Sequence, residues 1–475
     1  LSAPVPLAEL VGPVIRDLAR HSGKDLSRWL EQVARLGGCA EPVRLVGHSV
    51  TLDPDTGQVL GEYSTRHEPH GQLMIRCGNR RASRCPACAA TYRADTYHLI
   101  RAGLLGGKGV PDAVRTHPRV LATLTAPSFG AVHRGPGKDG RPVVCHPRRN
   151  GPACFQRHTA DEPLLGQPID PGTYDYTGHV LWNAHAGDLW RRFTIYLRRH
   201  LAGLSGLSRS TFNRTVRVSF AKVAEYQARG VVHFHAVIRL DGRDESGATL
   251  PPPHWATVAL LDGAIRSAVA AVHLDAPDLG QATTVLSWGE QVDVRPIEAG
   301  ELAGGDELSE QKVAGYVAKY ATKAAETSGT LNRRVKAADL PRLRHLGVTA
   351  HAERLIRTAW NLGDPLTYPD LVELRLRKWA HMLGFRGHFS TRSRAYSTTL
   401  TALRQARAHF RELQLAERQG RTPGSTLVLA HWSYAGQGYT PGESALALGF
   451  ADSSGTSNHH RKELANVESR DGLPE

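Results

Sequence analysis

The stretch ARGVVHFHAVIRLDG, residues 228–242, decides how the chain is read. Val231, Val232, Phe234, Ala236, Val237 and Ile238 give it the texture of a buried β-strand. His233 and His235 are set into it, separated by one bulky apolar residue. Side chains alternate along a strand with period two, so both imidazoles point to one face. Upstream, TVRVSFAKVAEYQ (215–227) reads as a second strand, and the intervening ARG is too short for anything but a hairpin. Pairing across that turn brings Glu225 near His233, with Gln227 on the face of Glu225. Two neutral imidazoles and a carboxylate suit Mn²⁺ or Mg²⁺, with positions left open for phosphate oxygen. Zn²⁺ would accept the same set. The plainer alternative is a pair of core histidines satisfied by hydrogen bonds.

The surroundings of this hairpin set the fold class. RVLATLTAPSFG (119–130) is a strand carrying Thr123 and Thr125 and closed by Pro and Gly. Residues 179–204 place Trp182, Ala186, Leu189, Phe193 and Leu197 at helical spacing. A helix is expected over 254–273, a strand over 290–297, and a Ser-capped helix over 309–326. The order β-α-β-β-α-β-α predicts an α+β fold, an antiparallel sheet of ferredoxin-like or RRM-like type with helices on one face. Residues 131–176, rich in Gly, Pro, His and Arg, read as an irregular insertion.

Within 309–326, Tyr316 and Tyr320 stand four residues apart and share a helical face. Lys319 and Lys323 follow each by three, giving two Tyr-x-x-Lys sets. A phenol with pKa near 10 is a poor nucleophile at neutral pH. A nearby lysine can favour phenolate or neutralise phosphate charge, and a metal can polarise the phosphate. Taken alone, the helix could equally carry two aromatic core residues and two solvated lysines.

The cysteines cluster. Cys85 and Cys88 form a Cys-x-x-Cys knuckle, with Cys77 and Cys39 upstream, a set suited to structural zinc. Arg80 and Arg81 interleave with it and are candidates for DNA phosphate contacts. Cys145, His146, Cys154 and His158 are candidates for a second zinc site. Six cysteines in 475 residues are too sparse for a disulfide framework, and a cytoplasmic location is expected.

Lys plus Arg total 59 against 45 Asp plus Glu, a net charge of +14. A chain this basic is expected to meet a polyanion, nucleic acid first. No apolar run is long enough to cross a membrane, and LSAPVPLAEL lacks the pattern of a secretory leader. No Gly-x-x-x-x-Gly-Lys-Ser/Thr loop is present, so a fused helicase of the usual type is not expected.

The Thr-bearing strand, His-Phe-His and Tyr-x-x-Lys follow one another in that order. TLTAPSFG, EYQARGVVHFHAVIRLDG, VAGYVAKYATKA and WAHMLGFRGHFSTRSRAYS resemble the HUH-type rolling-circle replication initiators. Within these the chain is most similar to the RepSA-like initiators of actinobacterial plasmids and integrative conjugative elements, over roughly residues 39–440. The YVAKY spacing is also similar to that of the two-tyrosine initiators of single-stranded coliphages. The resemblance implies an HUH endonuclease core in which His233, His235 and Glu225 hold the divalent ion. It implies Tyr316 as nucleophile, with Tyr320 either a second nucleophile or a neighbour and Lys319 assisting charge. It implies nicking and joining of single-stranded or hairpin origin DNA through a 5′-phosphotyrosyl link, with host polymerase extending the free 3′ end. A conjugative relaxase or HUH transposase shares the motif order. A non-catalytic zinc-ribbon regulator is the reading from another class.

The expected organisation is a helical segment over 1–38, a zinc-ribbon region over 39–98, a nuclease core over 115–330, and a helical basic DNA-binding region over 331–450. A disordered tail follows over 451–475. Leu374 to Phe410 contains basic residues and no acidic ones, and Arg386, Arg392 and Arg394 are its candidate DNA contacts.

Overall fold

The computed structural model describes residues 24–453, apart from 138, 278, 280–284, 299–308, 324 and 419–425, with three isolated positions upstream. Most of the expected 1–38 segment and of the 451–475 tail therefore lies outside the described residues. The chain divides into two compact units: Leu1–Asp95 with Thr399–Asp471, and Thr96–Thr398 with Gly472–Glu475. The fold is mixed α and β with antiparallel sheets.

In chain order the first elements are α1 (Lys24–Leu36), β1 (Val43–Leu52), β2 (Val59–Ser64), β3 (Leu73–Ile75) and α2 (Pro86–Leu105). There follow β4 (Arg119–Leu124), α3 (Tyr176–Leu204), α4 (Arg209–Thr215), β5 (Val216–Tyr226), β6 (Val232–Arg243) and β7 (Thr249–Leu250). Next are α5 (Val258–Ala271), β8 (His273–Asp275), β9 (Val285–Ser287), β10 (Val292–Pro296) and α6 (Glu310–Tyr320). The last are α7 (Ala350–Leu362), α8 (Leu376–Trp379), β11 (Ser390–Arg392), α9 (Leu400–Arg418), β12 (Leu427–Gln437) and α10 (Pro441–Ser453).

In the first unit β1 is central, paired with β12 on one side and with β2 and β3 on the other. Helix α1 buries Trp29, Val33 and Leu36, spaced four and three residues apart, on one face. They join Met74, Cys39, Cys85, Cys88 and Ala447 in a small core.

Two sequence expectations need correction here. Residues 39–98, expected as a zinc-ribbon region, also hold most of the 20-residue helix α2. Pro86 sits at its first position, where a missing N–H costs nothing. Its apolar residues are spread around the helix rather than gathered in a stripe, so periodicity gave no warning. Residues 331–450, expected to be helical, also contain β11, which pairs with β5, and β12, which pairs with β1 nearly 400 positions away.

The second unit is built on a sheet ordered β10-β4-β6-β5-β11, with β7 on β6. All these pairs are antiparallel. Strand β6 alternates without interruption from 233 to 241. Phe234, Ala236, Ile238 and Leu240 face the main apolar core, with α3 residues such as Trp182, Trp190 and Phe193. Trp190 meets Phe220 and Phe234 edge-on. His233, His235, Arg239 and Asp241 occupy the opposite face. Helix α6 covers that face: its first residue, Glu310, pairs with Arg119, and its tyrosines meet His235.

Candidate active site

The β5–β6 hairpin has the expected register, with Glu225 opposite His233 and Val223 opposite His235. The turn closes through Gly230 N–H to Gln227 O, 2.8 Å, and Gly230 adopts φ +83°, which suits glycine. Buried Asn183 of α3 holds the turn from the core. Its Nδ2 donates to Gly230 O at 3.0 Å and its Oδ1 accepts from Val232 N–H at 3.0 Å. Gln227 points to local structure, accepting from Arg229 Nε at 2.9 Å.

Glu225 Oε2 lies 3.1 Å from His233 Nε2 and 3.1 Å from His235 Nε2. Thr123 Oγ1, on β4, lies 3.0 Å from His235 Nδ1. The Thr123 hydroxyl both donates and accepts, so it satisfies Nδ1 in either tautomer of His235. Burial pushes His235 down to about 4, so its ring is neutral near pH 7. Burial alone would raise Glu225, but hydrogen bonds with both histidines hold it at about 2. A neutral imidazole and an ionised carboxylate thus stand 3.1 Å apart, and together with His233 the three groups could hold a cation.

Helix α6 begins with Ser309 accepting from Lys312 N–H, an N-cap that fixes where the tyrosines fall. Tyr316 Oη lies 3.3 Å from His235 Nε2. Tyr320 is buried, its ring stacked on His235 at 5.4 Å and 4.7 Å from the Tyr316 ring. The helix ends at Tyr320, so Lys323 lies beyond it, with Nζ 3.3 Å from Glu225 Oε1 and 4.5 Å from the Tyr320 ring centre. Lys319 Nζ is 5.9 Å from that centre. Two tyrosines, two histidines, Glu225 and Lys323 therefore share one locus on the polar face of the sheet.

Other groups on that face were not singled out from the sequence. Arg119 Nη2 pairs with Glu310 Oε1 at 2.6 Å, and Arg119 Nη1 donates to Leu104 O. Arg239 pairs with Asp241, which also accepts from Ser219 Oγ and contacts His117 Nδ1. Charged residues inside the apolar runs RVLATL and AVIRLD were the available signal, since a buried charge requires a partner. Thr125 bonds Gln291 O at 2.7 Å.

In the first unit the four cysteines converge. Cys39 Sγ is 3.9 Å from Cys85 Sγ and 3.7 Å from Cys88 Sγ, and Cys77 completes the group. Pairing of Val43 with Ile75 brings the distant Cys39 beside Cys77. Thiolates about 2.3 Å from a tetrahedral zinc stand about 3.8 Å apart, so the spacing fits. Backbone N–H groups of Ala40, Cys77 and Asn79 point at the sulfurs of Cys85, Cys39 and Cys77. Within the insertion, Cys145, Cys154 and His158 meet His133. His146 lies outside that group, with Nδ1 3.3 Å from Cys145 Sγ.

Of the candidate DNA-contacting arginines, Arg80 and Arg81 belong to the first unit and Arg386, Arg392 and Arg394 to the second. Arg80 and Arg81 flank the cysteine knuckle and are half-buried. Arg386 spends its donors on Ala184 O, Glu373 O and Asp188. Arg392 donates to Ser393 O and Arg394 O, and Arg394 is exposed. Among the described residues, no helix is long and apolar enough to cross a membrane.

Comparison with known proteins gives two findings. A family profile described as RepSA, replication initiator protein, pSAM2, matches residues 25–452. A replication initiator protein of Streptomyces ambofaciens is 52% identical over 445 residues, covering 92% of this chain and 92% of that protein. No solved structure matches.

Proposed function

We propose that this chain, which belongs to the RepSA family of replication initiator proteins, starts rolling-circle replication by nicking and rejoining one strand at an origin, with Tyr316 as nucleophile. Family membership supports replication initiation and DNA binding. The observation carrying the finer reading is Tyr316 Oη beside the Glu225–His233–His235 group, 3.3 Å from His235 Nε2. The strand order β10-β4-β6-β5, with α3 and α5 as the crossovers, is that of a βαββαβ ferredoxin-like sheet and supports an HUH core.

His233, His235 and Glu225 would hold Mn²⁺ or Mg²⁺. Such an ion supplies Lewis-acid polarisation of the scissile phosphate. The protein's own groups do the rest. Thr123 holds the His235 ring in place at Nδ1, and Lys323 closes the far side of Glu225. Tyr316 Oη attacks phosphorus and the bond to the 3′ oxygen breaks. The phenol gives up its proton as the 3′ oxygen gains one. A 5′-phosphotyrosyl link and a free 3′-OH result, with no loss of bond energy to hydrolysis. The 3′ end is then available to host polymerase behind a host helicase. The Cys39–Cys77–Cys85–Cys88 group would hold structural zinc. The test is a denaturing gel after incubation with single-stranded origin DNA and Mn²⁺. A covalent adduct is expected with the natural sequence and none with Tyr316→Phe. Absence of an adduct under all metal conditions would favour a binding-only regulator.

A further inference from the structure

Between β4 and α3, residues 134–165 of the insertion have almost no apolar interior. Among its described residues from 134 to 165, the buried side chains are Cys145, Cys154 and His158. Phe155 and Leu164 are exposed. A segment of this length cannot hold one conformation on hydrophobic burial it does not have. Its three buried groups are all metal-ligating types, and they meet a fourth, His133.

We propose that His133, Cys145, Cys154 and His158 bind a structural zinc ion that staples this insertion beside the hairpin carrying Glu225 and His233. His133 Nδ1 is 3.1 Å from His158 Nε2 and 3.8 Å from Cys145 Sγ, and Cys154 Sγ is 3.5 Å from His158 Nε2. Tetrahedral zinc, with bonds of about 2.0–2.1 Å to nitrogen and 2.3 Å to sulfur, has edges of about 3.3 Å between nitrogens and 3.5 Å between nitrogen and sulfur. The outer contacts are those of a closed site. Glu162 Oε2 is 2.6 Å from His158 Nδ1, which orients Nε2 inward, and Arg134 N–H donates to Cys145 Sγ at 3.3 Å. Two thiolates and two imidazoles select zinc over the hard cation suited to the nuclease group.

The staple reaches the catalytic hairpin through His133. Its backbone pairs with the segment opposite, His133 N–H to Gln167 O and Gly166 N–H to His133 O, each 2.8 Å. Gly166, at φ +78°, comes so close to the turn that a Cβ there would stand 2.4 Å from the carbonyl carbon of Ala228. The ion therefore orders the segment against the turn from which β6 departs, without touching the reacting groups.

The test is zinc content of the full chain, purified without added metal or chelator. Two zinc ions per chain are expected, falling to one in His133→Ala and in Cys154→Ser, and remaining two in His146→Ala. One ion in the natural sequence, or two retained in His133→Ala, would overturn the proposal. If His133→Ala does not accumulate, cobalt substitution of the unaltered chain decides. Thiolate-to-cobalt charge transfer equivalent to six bonds over two ions supports the site, and four bonds over one ion refutes it.

Discussion

Arg119 Nη2 and Glu310 Oε1 lie 2.6 Å apart with both side chains almost wholly withdrawn from solvent. The pair ties the first residue of β4 to the first residue of α6. Lys323, bound to Glu225, ties down the chain just past the other end of that helix. The tyrosine helix is thus held at both ends on the face that carries the histidines.

Removing one partner of such a pair strands a buried charge and costs about 3–5 kcal/mol. Arg119→Met should therefore lower the melting temperature sharply. The double variant Arg119→Met/Glu310→Met should recover most of that loss. Its adduct formation should stay depressed, on the order of 10²-fold, because the tyrosine is no longer positioned. Recovery of adduct yield together with stability would show that the pair is only structural.

The two tyrosines should separate cleanly. Tyr320 contributes a buried ring stacked on His235, and phenylalanine keeps that ring. Tyr320→Phe should change first-strand cleavage by less than about 1 kcal/mol, roughly fivefold. An adduct that vanishes in Tyr320→Phe and persists in Tyr316→Phe, by peptide mapping of the nucleotide-bearing residue, would reverse the assignment.

Chelation should act unevenly on the two units. The first unit's buried apolar core is small and includes Cys39, Cys85 and Cys88. Zinc bound to such a group contributes about 10–16 kcal/mol of apparent free energy, most of which is folding free energy. Cys88→Ser, or a strong chelator, should abolish the calorimetric transition of residues 24–95 with 399–453 while the other unit still melts cooperatively. Retention of both transitions would exclude a structural ion there.

Lys222 offers a pH test in the core. It lies under the rings of Phe234 and Trp190, and burial pushes its pKa down to about 7. Between pH 7 and the ordinary 10.5 the unfolded chain carries one proton more than the folded one. Stability from this group therefore rises with pH through that window, and the full penalty applies below it. At about 1.36 kcal/mol per pH unit the ceiling is about 5 kcal/mol. Lys222→Met should raise the melting temperature more at pH 6 than at pH 9.5. Equal gains at both would refute the buried-charge account.

The sequence exposed the hairpin, the histidine pair and the tyrosine spacing because each follows a short period. Register between Glu225 and His233 could be read for the same reason, given a three-residue turn. Three features had no such local signature. Helix α2 spreads its apolar residues around its surface. Strand β12 finds its partner nearly 400 positions away. His133 joins Cys145, Cys154 and His158 through an irregular loop in which spacing has no geometric meaning, so the nearer His146 looked equivalent.

The strict alternation of β6 carries a cost in tolerance. Phe234, Ala236, Ile238 and Leu240 fill the core, while His233, His235, Arg239 and Asp241 serve the other side. Losing a single residue between Phe234 and Leu240 would turn one part of the strand over relative to the rest. Imidazole or guanidinium would then be thrust among tryptophans, and aromatic carbon onto the face that carries Glu225 and the tyrosines. Length in this strand is consequently set by the two faces it serves at once.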